Sequence, residues 1–585
     1  PSDAPTGNEG ALITGSKTVL FAGSSQSRLG SVVMSCSFPV NLPTSVCVAV
    51  PMGAPVLIGG PEAIDFAAAA TQGIRTKWVS GKLHKLLGAT KGSWRSKVIC
   101  FLTGHPVDVM TGELIAEAVD FELPGTIPIV WERNYRSRQT SAGSLGPGWT
   151  HPFDDCVEET PTGVLLRMAD GRPKKHPRLD VDGADWDGED RYTLRRTRDG
   201  YEQRTWDGQR RVYQRAEGAP KHVLVAILDP AGNRISLGYE RGRLSSIHDT
   251  AGRDLDVRWA RDGGIEGVYL DDEPLVTYRY DGGHLAAASD PLGHAIEYSY
   301  EGGVMVKEVH KSGLAFHFAW SEAHPEGWCV RTWGENPDAP KKRRGKSAEQ
   351  PTTEHLGVPR YVYDRRITYD PARHFTSVED GRGGVTQYWG NALGLVEKMM
   401  DPAGNTTEYT WDSLCRKTSE TDALGHKREW RHDDHGNCVR ERDALGYEVR
   451  RDFEDDGRVV RLVDAAGGEW LVDWDKRRKP RWVQAPDGSE TQYTHDERGR
   501  LVALEDAMGR ATRLVWSERH DVSSMTDGEG RTTAFEHDRQ GRVIAVHDAG
   551  GRVARARRDA MGRVIALDRA DGERLSMTYD VEGNL

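Results

Sequence analysis

One spacing constrains this chain more than any other feature. Gly383, Gly404, Gly425, Gly446, Gly467, Gly488, Gly509, Gly530, Gly551 and Gly572 follow one another at 21 residues without a slip. An aspartate stands three residues ahead of most of them, as at Asp380, Asp401, Asp422, Asp443, Asp464, Asp506, Asp527 and Asp548, with Ala485 and Arg569 as exceptions. A second turn falls half a repeat later, at Gly394, Gly436, Gly457, Gly499, Gly541, Gly562 and Gly583, often followed by arginine. Aspartate accepts hydrogen bonds from backbone N–H groups two or three residues on, and glycine supplies the positive φ that re-enters the next strand. Between the turns lie runs such as Thr406–Trp411 and Glu490–His495, rich in Thr, aromatic and β-branched residues, which read as strands. A two-strand unit cannot bury a face alone, so the repeat calls for an all-β array in which each unit extends one sheet.

The same grammar is looser upstream, in Asp229-Pro-Ala-Gly232, Asp249-Thr-Ala-Gly252 and Asp290-Pro-Leu-Gly293. The run 337–359, with Lys341-Lys-Arg-Arg344, reads as a solvated loop interrupting the array. Composition agrees with a wet repeat protein: 65 glycines, only 37% hydrophobic residues and a net charge of -11. That balance lacks the basic excess of a nucleic-acid binder, so no nucleic-acid partner is expected. Seven scattered cysteines without a CxxC pair argue against a disulfide framework and for assembly in a reducing cytosol. The most apolar stretch, 46–70, is broken by prolines and glycines and does not read as a spanning helix. Pro1 to Ser16 is polar, without a signal-peptide pattern. A chain opening on Pro1 suggests a processing site there.

Candidate chemistry dissolves into the repeat. His432-Asp433-Asp434-His435 looks like a metal site, yet position 432 corresponds to Trp411, Phe453, Trp474, His495, Trp516, His537 and Tyr579, a place before the turn that wants a planar side chain. The same register removes His495 and His537 as catalytic bases. The acidic run Asp180, Asp182, Asp185, Asp187, Glu189 and Asp190 departs from calcium-loop spacing and reads as a solvated hairpin. There is no nucleophile elbow, phosphate loop or HExxH motif. No catalytic residue, metal or cofactor is therefore expected. Residues 74–87 suit a short amphipathic helix packed as a plug.

The Tyr/Trp-Asp-x-x-Gly-Arg and Asp-Pro-x-Gly alternation, over roughly 225–585, resembles the YD repeats of Rhs proteins and of toxin-complex and teneurin shells. Upstream, Gly104 to Gly112, Asp120-Phe-Glu-Leu-Pro124, Trp131-Glu-Arg-Asn-Tyr135 and Gly146-Pro-Gly-Trp149 look like the segment that leads into the repeats of bacterial Rhs effectors. More weakly, Ser16 to Gly23, Met34-Ser-Cys36 and Ala49 to Gly60 are similar to the later part of a PAAR domain. PAAR domains typically hold zinc, and with no histidine before His84 this chain departs from that pattern.

The resemblance implies a hollow β-solenoid cocoon, the shell and delivery part of a polymorphic Rhs toxin. It would be made in the bacterial cytoplasm, docked on the VgrG spike of a type VI secretion machine and delivered into competing cells. Its implied partners are its own C-terminal toxin domain, a chaperone and an immunity protein, with toxin and self-cleavage site beyond Leu585. The expected division is a PAAR-like segment at 1–61, a helical or plug linker at 62–103, a lead-in at 104–228 and the repeat shell at 229–585. Two other classes compete: a β-propeller binding module of four-stranded blades, and a carbohydrate-active β-solenoid enzyme. The first needs a closed ring and the second needs carboxylates that break the register.

Overall fold

The computed structural model describes residues 107–335 and 361–580, except residues 140–141, 262, 324–325 and 570–571, together with the backbone of seven short strands between Ala11 and Ile64. The expected PAAR-like segment and the helical linker, Pro1, and the Lys341–Arg344 loop otherwise lie outside the described residues. Strands dominate, and the one helical element among the described residues is a 3-10 turn at Pro371–Arg373.

A small antiparallel sheet of Ile115–Leu123, Ile129–Arg136 and Trp149–Thr150 comes first. From Cys156 to Ser576 the chain builds one 39-stranded sheet in which strand order follows sequence order. Its first strand, Cys156–Thr160, also pairs back onto His222–Leu228, through Cys156 with Val223 and Val157 with His222. That pairing covers an otherwise open edge. The long sheet thus begins well before the expected boundary at 228/229, in hairpins whose Asp-x-x-Gly letters, as at Asp180-Val-Asp-Gly183, fall outside the regular spacing of the later ones. One continuous sheet also removes the propeller, whose blades would be separate sheets.

The turns obey one chemistry. Asp401 Oδ1 accepts from the N–H of Ala403 at 2.9 Å and of Asn405 at 2.8 Å, so the aspartate reaches two and four residues on. Where the fourth residue is arginine the carboxylate takes its guanidinium too: Arg510 Nε donates to Asp506 Oδ2 at 2.7 Å, and Arg500 Nε to Asp496 Oδ2 at 2.6 Å. On the second-turn edge those arginines also tie neighbouring repeats, since Arg416, Arg458, Arg500 and Arg563 donate to the carbonyls of Asp433, Asp475, Ser517 and Asp580 at 2.8–3.2 Å. The first-turn glycines Gly383, Gly404, Gly425, Gly446, Gly467, Gly488, Gly509, Gly530, Gly551 and Gly572 all have φ between 75° and 90°.

The planar position before each second turn has a structural task. At Trp411 the hairpin register slips: Thr410 pairs with Ser419 and Trp411 with Lys417, leaving Thr418 as a bulge. The same slip recurs at His432, Phe453, Trp474, His495, Trp516, His537 and Arg558. On its other side, the strand of Trp411 pairs with the preceding one only from Lys398↔Glu408 to Met400↔Thr406. Beyond that point the Trp411 indole donates to the Val396 carbonyl at 2.8 Å. Trp474, Trp516 and Tyr579 make the equivalent bond to Val459, Leu501 and Val564, and Tyr239, Trp259, Tyr280 and Trp320 make it earlier in the chain.

Removing the turn conformation should cost what the left-handed backbone costs a side chain. Gly467 has φ +85°, and a Cβ added there would meet nothing within 4 Å, so Gly467→Ala should destabilise by about 1–2 kcal/mol through strain alone. Gly499→Ala should cost more, because its Cβ would also lie 3.2 Å from that of Ala231. Urea unfolding followed by circular dichroism measures both, and equal losses would contradict this account.

Candidate functional site

Two places join parts of the chain that are far apart in sequence, and both are built from the motifs described above. The first is the anchor of the lead-in. In Ile129–Arg136 the side chains of Trp131, Arg133 and Tyr135 alternate onto one face and are at most 1% exposed. Trp131 Nε1 donates to the Tyr278 hydroxyl at 2.8 Å, Trp149 Nε1 to that of Tyr300 at 2.8 Å, and the Met305 N–H to that of Tyr135 at 3.0 Å. Arg133 clasps Asp120 at 2.7 and 3.0 Å and reaches the Tyr298 hydroxyl at 2.9 Å. Burial alone would depress this guanidinium, but the Asp120 carboxylate and the Tyr298 hydroxyl outweigh it and keep it charged. The Thr376 hydroxyl completes the clamp by donating to the Val109 carbonyl at 2.6 Å. The largest apolar cluster therefore joins the lead-in to one face of strands up to Val396.

Past Tyr409, the last residue packed on that cluster, the face carries no second layer among the described residues, although Val472 and Tyr493 are buried by neighbours in their own layer. Register places Tyr388, Tyr409, Trp430, Arg451, Val472, Tyr493, Leu514, Phe535 and Ala556 at one position on successive repeats. Among the described residues only two small apolar clusters lie beyond Tyr409, at 472–504 and 556–567, and neither includes a second layer. Charges interrupt the face too, with Lys417 bound to Glu420 at 2.6 Å and Arg451 to Glu441 at 3.3 Å. The opposite face is richer still in ion pairs, such as Arg461 with Glu469 at 2.6 Å and Arg481 with Asp473 at 3.1 Å. Both faces of this single layer are thus partly wet.

The second place is a seam where the sheet comes round past its own beginning. The first-turn edge between 187 and 273 meets the second-turn edge between 435 and 541. Arg191 donates to the His435 carbonyl at 3.0 Å and to Asn437, Asn233 to the Arg498 carbonyl at 2.8 Å, and Arg253 to the Gln540 carbonyl at 3.0 Å. Arg539 pairs with Asp271 at 3.6 Å and with Glu273. Small turns permit the approach: a Cβ on Gly457 would sit 3.5 Å from Trp206, and one on Gly499 would be 3.2 Å from Ala231. At three second turns a side chain takes the left-handed place, at Cys415, Arg478 and His520, with φ of 62–65°. Burial, reinforced by Asp538 and Asp249, pushes the Asp521 carboxyl at this seam up to about 6.

The sequence candidates fall apart in space. His432 and His495 are pushed down to about 4, and His537 is pushed down too, each chiefly by burial at its own repeat. No group of three His, Cys, Asp or Glu side chains able to hold a metal occurs among the described residues. The acidic run is less solvated than its composition suggests: Asp190 binds Arg172 at 3.0 Å and Lys174 at 2.6 Å, Glu189 binds Lys174 at 2.7 Å, and Asp185 binds His176 at 2.8 Å. Sequence reasoning misses the seam residues Arg191, Asn233, Arg253 and Arg539. For Asn233 and Arg253 the signal is the polar residue after a turn glycine, in Gly232-Asn233 and Gly252-Arg253; Arg191 and Arg539 carry none.

Comparison with known proteins bears on the same segments. Residues 104–175, the lead-in and the first hairpin, match the family model "Domain of unknown function (DUF6531)", and residues 516–553 match "RHS Repeat". The chain thus carries Rhs-type repeat sequence. It is 30% identical over 252 residues to Double-stranded DNA deaminase toxin A of Burkholderia cenocepacia, covering 40% of the chain and 18% of that protein. It is 28% identical over 307 residues to Probable deoxyribonuclease RhsA of Dickeya dadantii, covering 47% of the chain and 20% of that protein. Toxin protein Tse5 of Pseudomonas aeruginosa is 27% identical over 282 residues, covering 39% and 21%. The matched stretches thus span about a fifth of these curated relatives. A crystal structure of TcdB2-TccC3 without its hypervariable C-terminal region aligns over 85% of this chain and 29% of that chain, at 8% identity and a TM-score of 0.43.

Two variants test the anchor and the seam. Arg133→Met leaves the Asp120 carboxylate buried without its cation and should cost about 3–5 kcal/mol, much of it recovered in the double variant Arg133→Met/Asp120→Leu. Thermal unfolding followed by tryptophan fluorescence reads both. For Asp521 the folded value lies above the ordinary one, so the penalty of holding it charged is full above about pH 6 and fades as pH falls toward 4. Asp521→Asn should therefore raise the melting temperature at pH 7.5 by more than at pH 4.5, and a pH-independent gain would contradict the burial argument.

Proposed function

We propose that this chain is the shell of a secreted Rhs toxin, winding a one-layer sheet around a toxin segment of the same polypeptide. The observation that carries the reading is the face beyond Tyr409, which has no second layer among the described residues. Trp430, Trp470, Leu514 and Phe535 are only half-buried there, on a face that the lead-in covers earlier in the chain. Such a face, aromatic but interrupted by Glu420, Arg428, Glu441 and Arg451, suits a sequestered polypeptide better than a small ligand. The toxin names of the relatives support the same class. On this reading the catalytic activity belongs to the enclosed segment, and the shell itself is not an enzyme.

The finer assignments of the reading follow the resemblance: assembly in the bacterial cytoplasm, delivery by type VI secretion, a PAAR-like tip on a VgrG spike, a chaperone, and an immunity protein that guards the producer. The test uses the full polypeptide expressed from its complete gene. For the shell role, that full polypeptide should be digested under native conditions. The segment that follows the repeats is expected to resist protease while the repeats stay folded, and to be cut once denaturant opens them. Digestion as fast as that of the same segment expressed alone would overturn the encapsulation reading.

A further inference from the structure

We infer that the seam between successive coils, rather than the strand ladder, is the line along which this shell opens. The inference rests on the shell reading above and adds to it a place of opening.

Within a coil, neighbouring strands share backbone ladders, and every turn is closed by its own aspartate. Separating two strands there would strip several backbone groups at once, each needing a new partner. The seam is joined differently. Three of its bonds run from side chains to turn carbonyls and the others join Arg191 to Asn437 and Arg539 to Asp271 and Glu273, while the donors Arg191, Asn233 and Arg253 keep a partner in their own coil when the edges part. Asn233 Nδ2 also donates to Asp229 at 2.7 Å, Arg253 is paired with Asp249 at 2.6 Å, and the Arg191 guanidinium lies 4.6 Å over the Trp206 ring. The carbonyls they release, at His435, Arg498 and Gln540, sit in turns where water can replace the lost donor.

Apolar packing gives the same answer. Among the described residues, the apolar clusters stay on one side or the other: one ends at Tyr409, and the others lie within 460–504 and 556–577. What crosses the seam is a single file of small contacts: Leu414 against Gly188, Trp206 on Gly457, Arg478 against Gly208, Ala231 on Gly499 and Pro124 against Gly541. Hydrogen bonds from side chains at a hydrated edge exchange readily for bonds to water. A few such bonds spread over five turns form a joint far weaker than the ladder, and one that can part without unfolding a strand. The left-handed His520 and the partly buried Asp521 place further strain on the second-turn edge of that joint.

Locking the seam tests this in the full polypeptide expressed from its complete gene. The first lock is Ala231→Cys/Gly499→Cys, whose Cβ atoms would start 3.2 Å apart, close to disulfide spacing. The second is Asp271→Cys/Arg539→Cys joined after folding by a short bis-maleimide, which spares the turn backbone; the polypeptide without new cysteines, treated alike, is the control. The readout is the rate at which native-state protease cuts the segment that follows the repeats. Each lock is expected to slow that cutting at least tenfold, and reductant to restore it for the disulfide alone. An unchanged rate in both cross-linked forms would overturn the inference while leaving encapsulation intact. Failure of both pairs to cross-link would overturn it too, by showing that the edges are not adjacent. Cutting as fast as that of the free segment, locked or not, would instead refute the shell reading.

Discussion

The bond from a planar side chain to a backbone carbonyl fifteen residues upstream holds the rest of this structure in register. Trp411 to Val396, Trp474 to Val459 and Trp516 to Leu501 all close a gap where the ladder between repeats has stopped. A side chain standing in for a ladder bond allows each hairpin to carry a bulge, which bends the strand and increases its twist in a constant sense. Repeated every 21 residues on the same strand, such bends turn a flat sheet into a curved one. Arg558 makes the same bond to Val543 with a guanidinium, whereas Phe453 fills the position without a donor, so what the position selects is a flat group that donates where its chemistry allows. Tyr369 makes it to Cys329, 40 residues upstream, so the bond joins the strands on either side of residues 336–360.

The two edges of the sheet carry different duties although their turns look alike. First-turn glycines such as Gly404, Gly467 and Gly530 face open space and are needed for φ alone. Second-turn glycines at the seam are needed for φ and for closeness to the coil beside them. Arginine after the second turn serves both ends of this arrangement, closing its own aspartate and tying the next repeat. The consensus letters of the repeat are thus a set of backbone obligations, and side-chain packing enters mainly through the lead-in.

Much of this is legible in the letters. The strands, both turn families and the equivalence of His432 with Trp411 follow from periodicity, because turn chemistry depends on residues close in sequence. The letters suggest an aspartate reach of two or three residues, whereas Oδ1 bridges two and four. That difference matters, since it brings the arginine or asparagine after the glycine into the turn. The anchor is visible as a motif, Trp131-Glu-Arg-Asn-Tyr135, but its partners Tyr278, Tyr298 and Tyr300 lie some 150 residues away and carry the same letters as any repeat tyrosine. The seam is illegible for the same reason. Which turn meets which depends on how far the sheet curves per repeat, a sum of small bends that no single residue encodes. The early hairpins from Cys156 to Arg215 fall outside the regular spacing, and pattern alone does not assign them to the long sheet.

A one-layer sheet must find its stability without an interdigitated core. Cross-strand pairs contribute about 0.2–1 kcal/mol each, and here they recur along the whole array, apolar at Val472↔Val483 and Tyr493↔Leu504, charged at Glu420↔Arg428. Such an array behaves as a chain of neighbours, each repeat resting on the two beside it. Long-range order then depends on the few places where the chain touches itself at a distance. The anchor is one, and it is built deeply, with a paired charge and a run of aromatic hydroxyls under full burial. The seam is the other, and it is built shallowly, from donors that already have partners at home. That contrast in depth suits the proposed shell role, in which one joint holds while another opens.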